Sequence, residues 1–177
     1  MPTGLLIASP SLRDPNFSRT VVLMCQHDSS GALGLVINRD GPVTIGAVAE
    51  QLSLDAPLLP DDPTWWGGPV GPGTGFVIWR GQIEGDEGWN IGAEIAVSPS
   101  ADRLERLIHD GELFHLALGY AGWGPGQLDE EIQQGSWIYA EVEPEVVLEA
   151  AMDDRWKVAL ERLGLDPEMF WSAPADA

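Results

Sequence analysis

Leu118-Gly-Tyr-Ala-Gly-Trp-Gly-Pro-Gly-Gln-Leu-Asp-Glu-Glu-Ile132 is the least generic stretch of the chain. It follows the apolar run Leu113–Leu118 and reads as the end of a buried strand, a loop with four glycines, and the start of an acidic helix. A glycine-rich turn between a strand and a helix is a place where backbone amides can cradle a phosphate. The spacing Gly119-x-x-Gly122-x-Gly124-x-Gly126 does not support that chemistry. A nucleotide P-loop needs a Lys followed by Ser or Thr at the helix start, and the dinucleotide fingerprint does not align. Here the helix opens with Gln127-Leu-Asp-Glu-Glu131, whose carboxylates favour the positive helix end themselves and repel a phosphate. The structural reading is a tight turn closing on Trp123. The functional alternative is a neutral or peptide-like ligand resting on Tyr120 and Trp123.

Outward from this stretch, short apolar runs alternate with turn residues. Leu5–Ser9 reads as a strand, Pro10–Arg19 as a loop, and Thr20–Gln26 as a strand covered on both faces, because nearly every position is apolar or β-branched. His27-Asp-Ser-Ser-Gly31 is a turn, and Ala32–Asn38 returns as the second arm of an antiparallel hairpin. Gly34 inside that arm marks a bulge or close backbone approach. Gly41-Pro42 ends the strand, and Thr44 caps a helix over 45–52 with Ile45, Val48, Ala49 and Leu52 on one face. Ser53–Thr64 is a surface loop, and Trp65–Gly75 is a second Gly/Pro-rich zone. Phe76–Arg80 and Asn90–Val97 are strands, and Ser100 caps a helix closed by Gly111. After the opening stretch come the strand Trp137–Val142, a short helix from Pro144, and a final helix. That last helix is capped by Asp153 or Asp154 and carries Trp156, Ala159, Leu160 and Leu163 on one face. About seven strands in hairpins and four or five short helices indicate an α+β fold with a mixed, mostly antiparallel sheet. One domain over 1–171 with a frayed tail at 172–177 accounts for the length.

The charge balance narrows the partners. The chain has 28 acids against nine bases, a formal net charge of -19. Residues 1–60 carry five acids and three bases, whereas residues 61–177 carry twenty-three acids and six bases. Such a surface repels polyanions, so DNA contact would have to use Arg13, Arg19 and Arg39 in the first third. Cys25 is the only cysteine, which excludes an internal disulfide and suits a reducing cytosol. No basic leader and no apolar stretch of roughly 20 residues is present, so a soluble cytoplasmic protein without membrane contact is expected.

Few residues offer chemistry. Cys25 and His27 are two apart on a strand and should share a face, as a thiol and its base would. Their Cα atoms should then lie roughly 6.5–7 Å apart, an awkward separation for a direct hydrogen bond, and core packing of the thiol is the simpler reading. His109 sits at a helix end, where an imidazolium suits the dipole. His115 sits in an apolar strand, as a core histidine would. The spacing of Cys25, His27, His109 and His115 matches no zinc module, so neither metal nor cofactor is expected. Glu141, Glu143, Glu145, Glu149, Asp153 and Asp154 read as a solvated face, with nothing to support paired carboxylates for glycoside chemistry. Trp65-Trp66 beside Gly67-Gly68 read as core anchors, with the lining of a binding groove as the alternative.

Taken together, Gly4-Leu-Leu-Ile-Ala-Ser-Pro10, Asp14-Pro-x-Phe17, Thr20-Val-Val-Leu, Cys25-Gln-His27, Gly31-Ala-Leu-Gly-Leu-Val-Ile-Asn-Arg39, Gly67-Gly-Pro-Val70, the opening stretch, Trp137 and Arg155-Trp156 resemble the motifs of the YqgE/AlgH family, in order along nearly the whole chain. Asp40 departs from the Pro usual after Asn-Arg, and Trp79 from the His usual after Gly-Gly-Pro. The resemblance implies coiled, bifurcated sheets with flanking short helices in a bacterial cytosolic protein. It implies no defined activity, and its name carries an association with transcriptional regulation of exopolysaccharide synthesis. The expected function is non-enzymatic binding of a protein or small molecule, or regulation. The expected face comprises Asn38, Arg39, Gly68, Pro69, Tyr120, Trp123 and Gln127. The alternatives are an enzyme or redox sensor acting through Cys25 and His27, and a direct DNA-binding regulator, which the charge disfavours.

Overall fold

The computed structural model describes residues 4–54 and 62–167. Its elements are β1 (Leu5–Ala8), β2 (Val21–Asp28), β3 (Gly31–Val36), β4 (Asp40–Thr44), α1 (Ile45–Gln51), β5 (Pro63–Trp66), β6 (Val70–Arg80), β7 (Trp89–Ile91), β8 (Ile95–Ser98), α2 (Ala101–His109), β9 (Phe114–Trp123), α3 (Gln127–Gln133), β10 (Trp137–Ala140), α4 (Pro144–Leu148) and α5 (Arg155–Arg162), with a 3-10 turn over Met152–Asp154. The strands join in the order β10-β1-β2-β3-β9-β6-β8-β7, and the pair β4–β5 branches off β9. Pairing is antiparallel except between β5 and β9. The fold is α+β, as the hairpin pattern predicts.

Strand side chains alternate between faces, and here both faces are covered. Leu5, Leu23 and Ile37 from one half of the sheet share a core with Phe76, Ile78 and Val97 from the other, so the sheet coils around that cluster. On the outer face of β2 and β3, Val22, Met24 and Val36 pack with Trp123 and with Leu128 of α3. On the outer face of β6 and β9, Val77, Trp79 and Leu116 pack against Leu104 and Leu107 of α2. Each fully buried Leu or Ile contributes about 2 kcal/mol relative to exposure. Thr44 Oγ accepts from the Ala47 amide (3.1 Å) and Ser100 Oγ from the Arg103 amide (3.3 Å), so both predicted helix caps form.

Several boundaries differ from the sequence reading. The glycine-rich stretch after Leu118 is not a loop up to Gly126: β9 runs to Trp123, and the turn is confined to Gly124-Pro125-Gly126. Leu113, expected in a buried strand, is 92% exposed. Gly41-Pro42 lies within β4, and Gly71–Gly75 within β6. Asn90–Val97 is two strands, β7 and β8, that turn at Gly92 (φ 66°). Gly31 opens β3, and β2 reaches Asp28, which shortens the predicted turn. Asp154 precedes α5 without a side-chain capping bond, and Leu163 follows the helix partly exposed. The C-terminal tail lies outside the described residues.

The branch point explains the misread loop. β9 pairs with β6 along one edge, while its other edge pairs first with β5 (Trp65↔Ala117, Trp66↔Leu118) and then with β3 (Ala32↔Trp123, Gly34↔Ala121). Between these partners the chain of Gly67-Gly68 lies directly against Gly119-Tyr120. A Cβ on Gly67 would overlap the Gly119 carbonyl oxygen, and one on Gly68 would overlap the Tyr120 backbone. Gly119 itself has φ 80°. The glycines therefore serve backbone contact within the sheet.

The last helix is tied to this core by a buried cation. Arg155 is 3% exposed and donates to the carbonyls of Ile37 and Ala150. Its guanidinium lies 5.0 Å from the centre of the Trp65 ring, and no carboxylate among the described residues pairs with it. Burial pushes its pKa down to about 10, which leaves it charged at neutral pH. Trp65 also stacks on His115, with centroids 4.4 Å apart and planes 18° apart. Burial, then the charge of Arg155, lower the His115 pKa, while contributions from the Leu148 backbone and Asp62 only partly oppose this.

Two outcomes follow from this packing. Gly67→Ala should destabilise the protein by at least about 3 kcal/mol, whereas Gly73→Ala, whose added methyl meets open space, should change stability by less than about 0.5 kcal/mol. Chemical denaturation of both variants checks this. His115 is protonated more readily in the unfolded chain than in the folded one. It therefore removes stability as the pH falls below its ordinary value of 6.5, until the folded imidazole also protonates. Denaturation midpoints between neutral and mildly acidic pH should fall more for the wild type than for His115→Gln.

Candidate functional site

Most of the residues expected to form a binding face cross-link the fold. Asn38 accepts from the Val21 amide and donates to the Arg19 carbonyl, both at 2.9 Å, and so fixes the end of the loop that enters β2. Arg39 donates to the carbonyls of Asn16 (2.7 Å) and Ser18 (2.8 Å) and covers Trp66, 5.4 Å from its ring centre. Gly68 is the buried close approach at the sheet branch, and Pro69 beside it is exposed. Tyr120 packs edge-on to Phe76 in the coiled core, whereas Trp123 lies in the outer cluster with Trp137. Tyr120 and Trp123 therefore occupy opposite faces of β9 and do not converge. The Trp123 and Trp137 indoles donate to one oxygen of Glu131, at 3.2 and 3.0 Å, and Gln127 donates to the other at 3.0 Å. Gln127 also accepts from the Gly124 amide, which closes the turn.

Cys25 and His27 also separate. Met24 pairs with Gly34 and Gln26 with Leu33, so Cys25 is the extra residue of a bulge. The extra residue reverses the alternation. Cys25 remains in the coiled core, while His27, opposite Ala32, reaches Asp129 of α3 at 3.2 Å. The expectation that the pair shares a face is wrong for this reason. Burial pushes the Cys25 thiol above its ordinary range. Gly34 follows the expected logic of close approach, since a Cβ there would come within 2.6 Å of Val22 and 2.8 Å of Met24. Of the cations considered for DNA, Arg39 is engaged as above and Arg19 lies over Trp156. His109 is exposed beside Asp110. Among the described residues no group of three or more His, Cys, Asp or Glu is placed to hold a metal ion.

Two of the concavities among the described residues lie elsewhere. A groove of about 450 Å³ runs between α1, α2 and the β6–β9 face, lined by apolar or uncharged residues such as Val43, Leu52, Val77 and Leu104. A cleft of about 580 Å³ lies at the start of β9, between β6, the N-terminus of α1 and the end of α4. Ile45, Phe114 and Leu148 supply its apolar wall; Asp62, Arg80, Glu112, His115 and Glu149 supply its polar groups. Each wall is held by the fold. The Ile45 amide donates to the Asp62 carbonyl (2.9 Å), the His115–Trp65 stack backs the cleft, and Arg80 pairs with Glu94 (2.8 Å) and reaches Glu149 (3.7 Å). Of the polar groups of the cleft the sequence singled out only His115, as a core histidine, and Glu149, as part of a solvated face. A histidine in an otherwise apolar strand was the one available signal.

Comparisons with known proteins follow this architecture. The family model described as AlgH-like, DUF179, matches residues 5–168. A UPF0301 protein of Xanthomonas campestris pv. campestris is 42% identical over 166 residues, covering 92% of this chain and 88% of that protein. One from Anaeromyxobacter dehalogenans is 40% identical over 179 residues, covering 94% and 90%. The solution structure of the AlgH protein from Pseudomonas aeruginosa superposes with a TM-score of 0.76 at 31% identity, covering 99% of this chain and 95% of that one. A crystal structure from Corynebacterium diphtheriae shares the fold at a TM-score of 0.77 and 21% identity, covering 96% and 92%. With the motifs, the branched sheet and these matches in agreement, the chain belongs to the AlgH-like family.

Proposed function

We propose that the chain is a non-enzymatic binding protein with a regulatory role, and that the cleft beside His115 is its ligand site. The observation that carries this reading is the convergence of five ionisable side chains on an apolar wall in one concavity of about 580 Å³. Small-molecule sites combine an apolar lining with a few placed polar groups, in volumes of about 300–1,000 Å³. The face of Asn38, Arg39, Trp123 and Gln127 offers less, because these residues use their polar groups on the chain itself. A regulatory role in transcription, if exerted, would run through a bound ligand or protein, since a net charge of -19 opposes contact with DNA. A cytoplasmic setting belongs to this proposal and suits the single buried cysteine. Among the described residues no helix is long and apolar enough to cross a membrane.

The cleft reading is tested by a fragment screen followed by NMR of the His115 imidazole and the Leu148 methyl groups. Fragments should shift these signals saturably in the wild type and lose affinity in Leu148→Trp, a variant that fills the cleft, provided its melting temperature is retained. Hits that cluster at the α1–α2 groove or around Trp123, or that are turned over, would overturn the proposal. For the alternative through Cys25, the folded protein should resist a thiol reagent at neutral pH and react fully in denaturant. Rapid labelling of the folded protein would revive the redox reading.

A further inference from the structure

Resting on the cleft as a binding site, we infer that its ligand is a small organic cation, a protonated amine on a flat apolar body. Three features of the cleft point to this class. First, its carboxylates outnumber its cations. Asp62, Glu112 and Glu149 line it against Arg80, and Arg80 is already paired with Glu94 and within 3.7 Å of Glu149. Asp62 and Glu112 have no ion-pair partner among the described residues. An anionic ligand would meet this unbalanced charge; a cation would complete it. Second, the imidazole at the back of the cleft supplies an acceptor. Neutral histidine has one donor and one acceptor nitrogen. The Leu148 backbone raises the pKa of the ring, as a carbonyl facing one nitrogen does, and no side chain of the described residues hydrogen-bonds it. The other nitrogen is left to accept an N–H from a ligand, beside the Asp62 carboxylate that acts on the same ring. Third, Ile45, Phe114 and Leu148 form the apolar wall next to these groups, and Trp65 backs His115. That surface suits a flat apolar body. It also disfavours a small hydrated cation such as a metal ion, which would leave the wall unused.

The volume of about 580 Å³ fits a small molecule, and the four walls come from a single chain, so no partner subunit is needed to complete the site. Arg80 and Glu149 border the cleft with side chains 46% and 64% exposed. They leave the charged end of a ligand near solvent while its body lies against the wall.

Three probes of similar shape separate charge from shape: 3-phenylpropylamine, 3-phenylpropan-1-ol and 3-phenylpropanoate. Each is titrated into the full chain and followed by the His115 imidazole and Leu148 methyl resonances. The amine should shift these signals saturably. The alcohol should bind at least about tenfold more weakly, and the carboxylate should give no response. In the double variant Asp62→Asn, Glu112→Gln, amine affinity should fall by about tenfold or more with the alcohol unchanged. An unchanged melting temperature shows that the variant is folded. Equal or tighter binding of the alcohol or the carboxylate at these resonances overturns the preference for cations and leaves the binding role of the cleft standing. Silence from all three probes overturns the inference and counts against the cleft itself.

Discussion

The structure turns on a contact between two stretches of backbone. Gly67-Gly68 and Gly119-Tyr120 lie so close that neither glycine of the first pair could carry a side chain. At this point β9 changes its neighbour on one edge from β5 to β3, and the sheet divides. If the two segments were held apart by a methyl group, β5 could not pair with β9 in register, and the Val36 amide would lose the Gly67 carbonyl that it reaches at 2.8 Å. The coiled core would open as well, because it takes Trp65 and Ala117 from the two strands that meet there. The Gly-Gly-Pro-Val and Gly-Tyr-Ala-Gly-Trp motifs thus belong to one device. Their spacing in sequence is set by the path of the sheet between them.

That device also shows what the sequence could and could not disclose. The β2–β3 hairpin, the Thr44 and Ser100 caps and the Trp156, Ala159 and Leu160 face of α5 follow from local rules and are legible, whereas Leu163 is exposed past the helix end. The run from Gly119 to Trp123 was not, because glycine density signals a loop equally well when the real cause is a second backbone pressed against the strand. The failed Cys25–His27 pair has the same origin. Alternation along a strand predicts a shared face, and a single inserted residue, visible only against the partner register of β3, reverses it. The cleft was hidden for another reason. Asp62, Arg80, the pair Glu112 and His115, and Glu149 come from four segments with no common spacing, and only the folding of the β6–β9 edge against α1 and α4 brings them together.

Trp123, Gln127, Asn38 and Arg39, expected on a binding face, direct their polar atoms onto the chain itself. Glu131 alone receives two indole N–H groups and the Gln127 amide. A buried indole N–H without a partner costs roughly 1–3 kcal/mol, so a carboxylate that satisfies two of them locks α3 onto the outer sheet face. Gln127 closes the turn before α3 on the Gly124 amide, a structural demand that needs no ligand.

Arg155 links the fold to the cleft. In a chain with 28 acids, the buried guanidinium of Arg155 is held by carbonyls and an aromatic ring, with no carboxylate paired to it among the described residues. A carboxylate in that place would neutralise its field. Without one, the positive charge acts through the low-dielectric interior on His115, which shares Trp65 with it, and adds to burial in keeping the imidazole neutral. A neutral imidazole can accept a hydrogen bond, whereas a protonated one can only donate. The unpaired cation in the core therefore reinforces burial in keeping a group at the wall of the cleft able to accept a hydrogen bond.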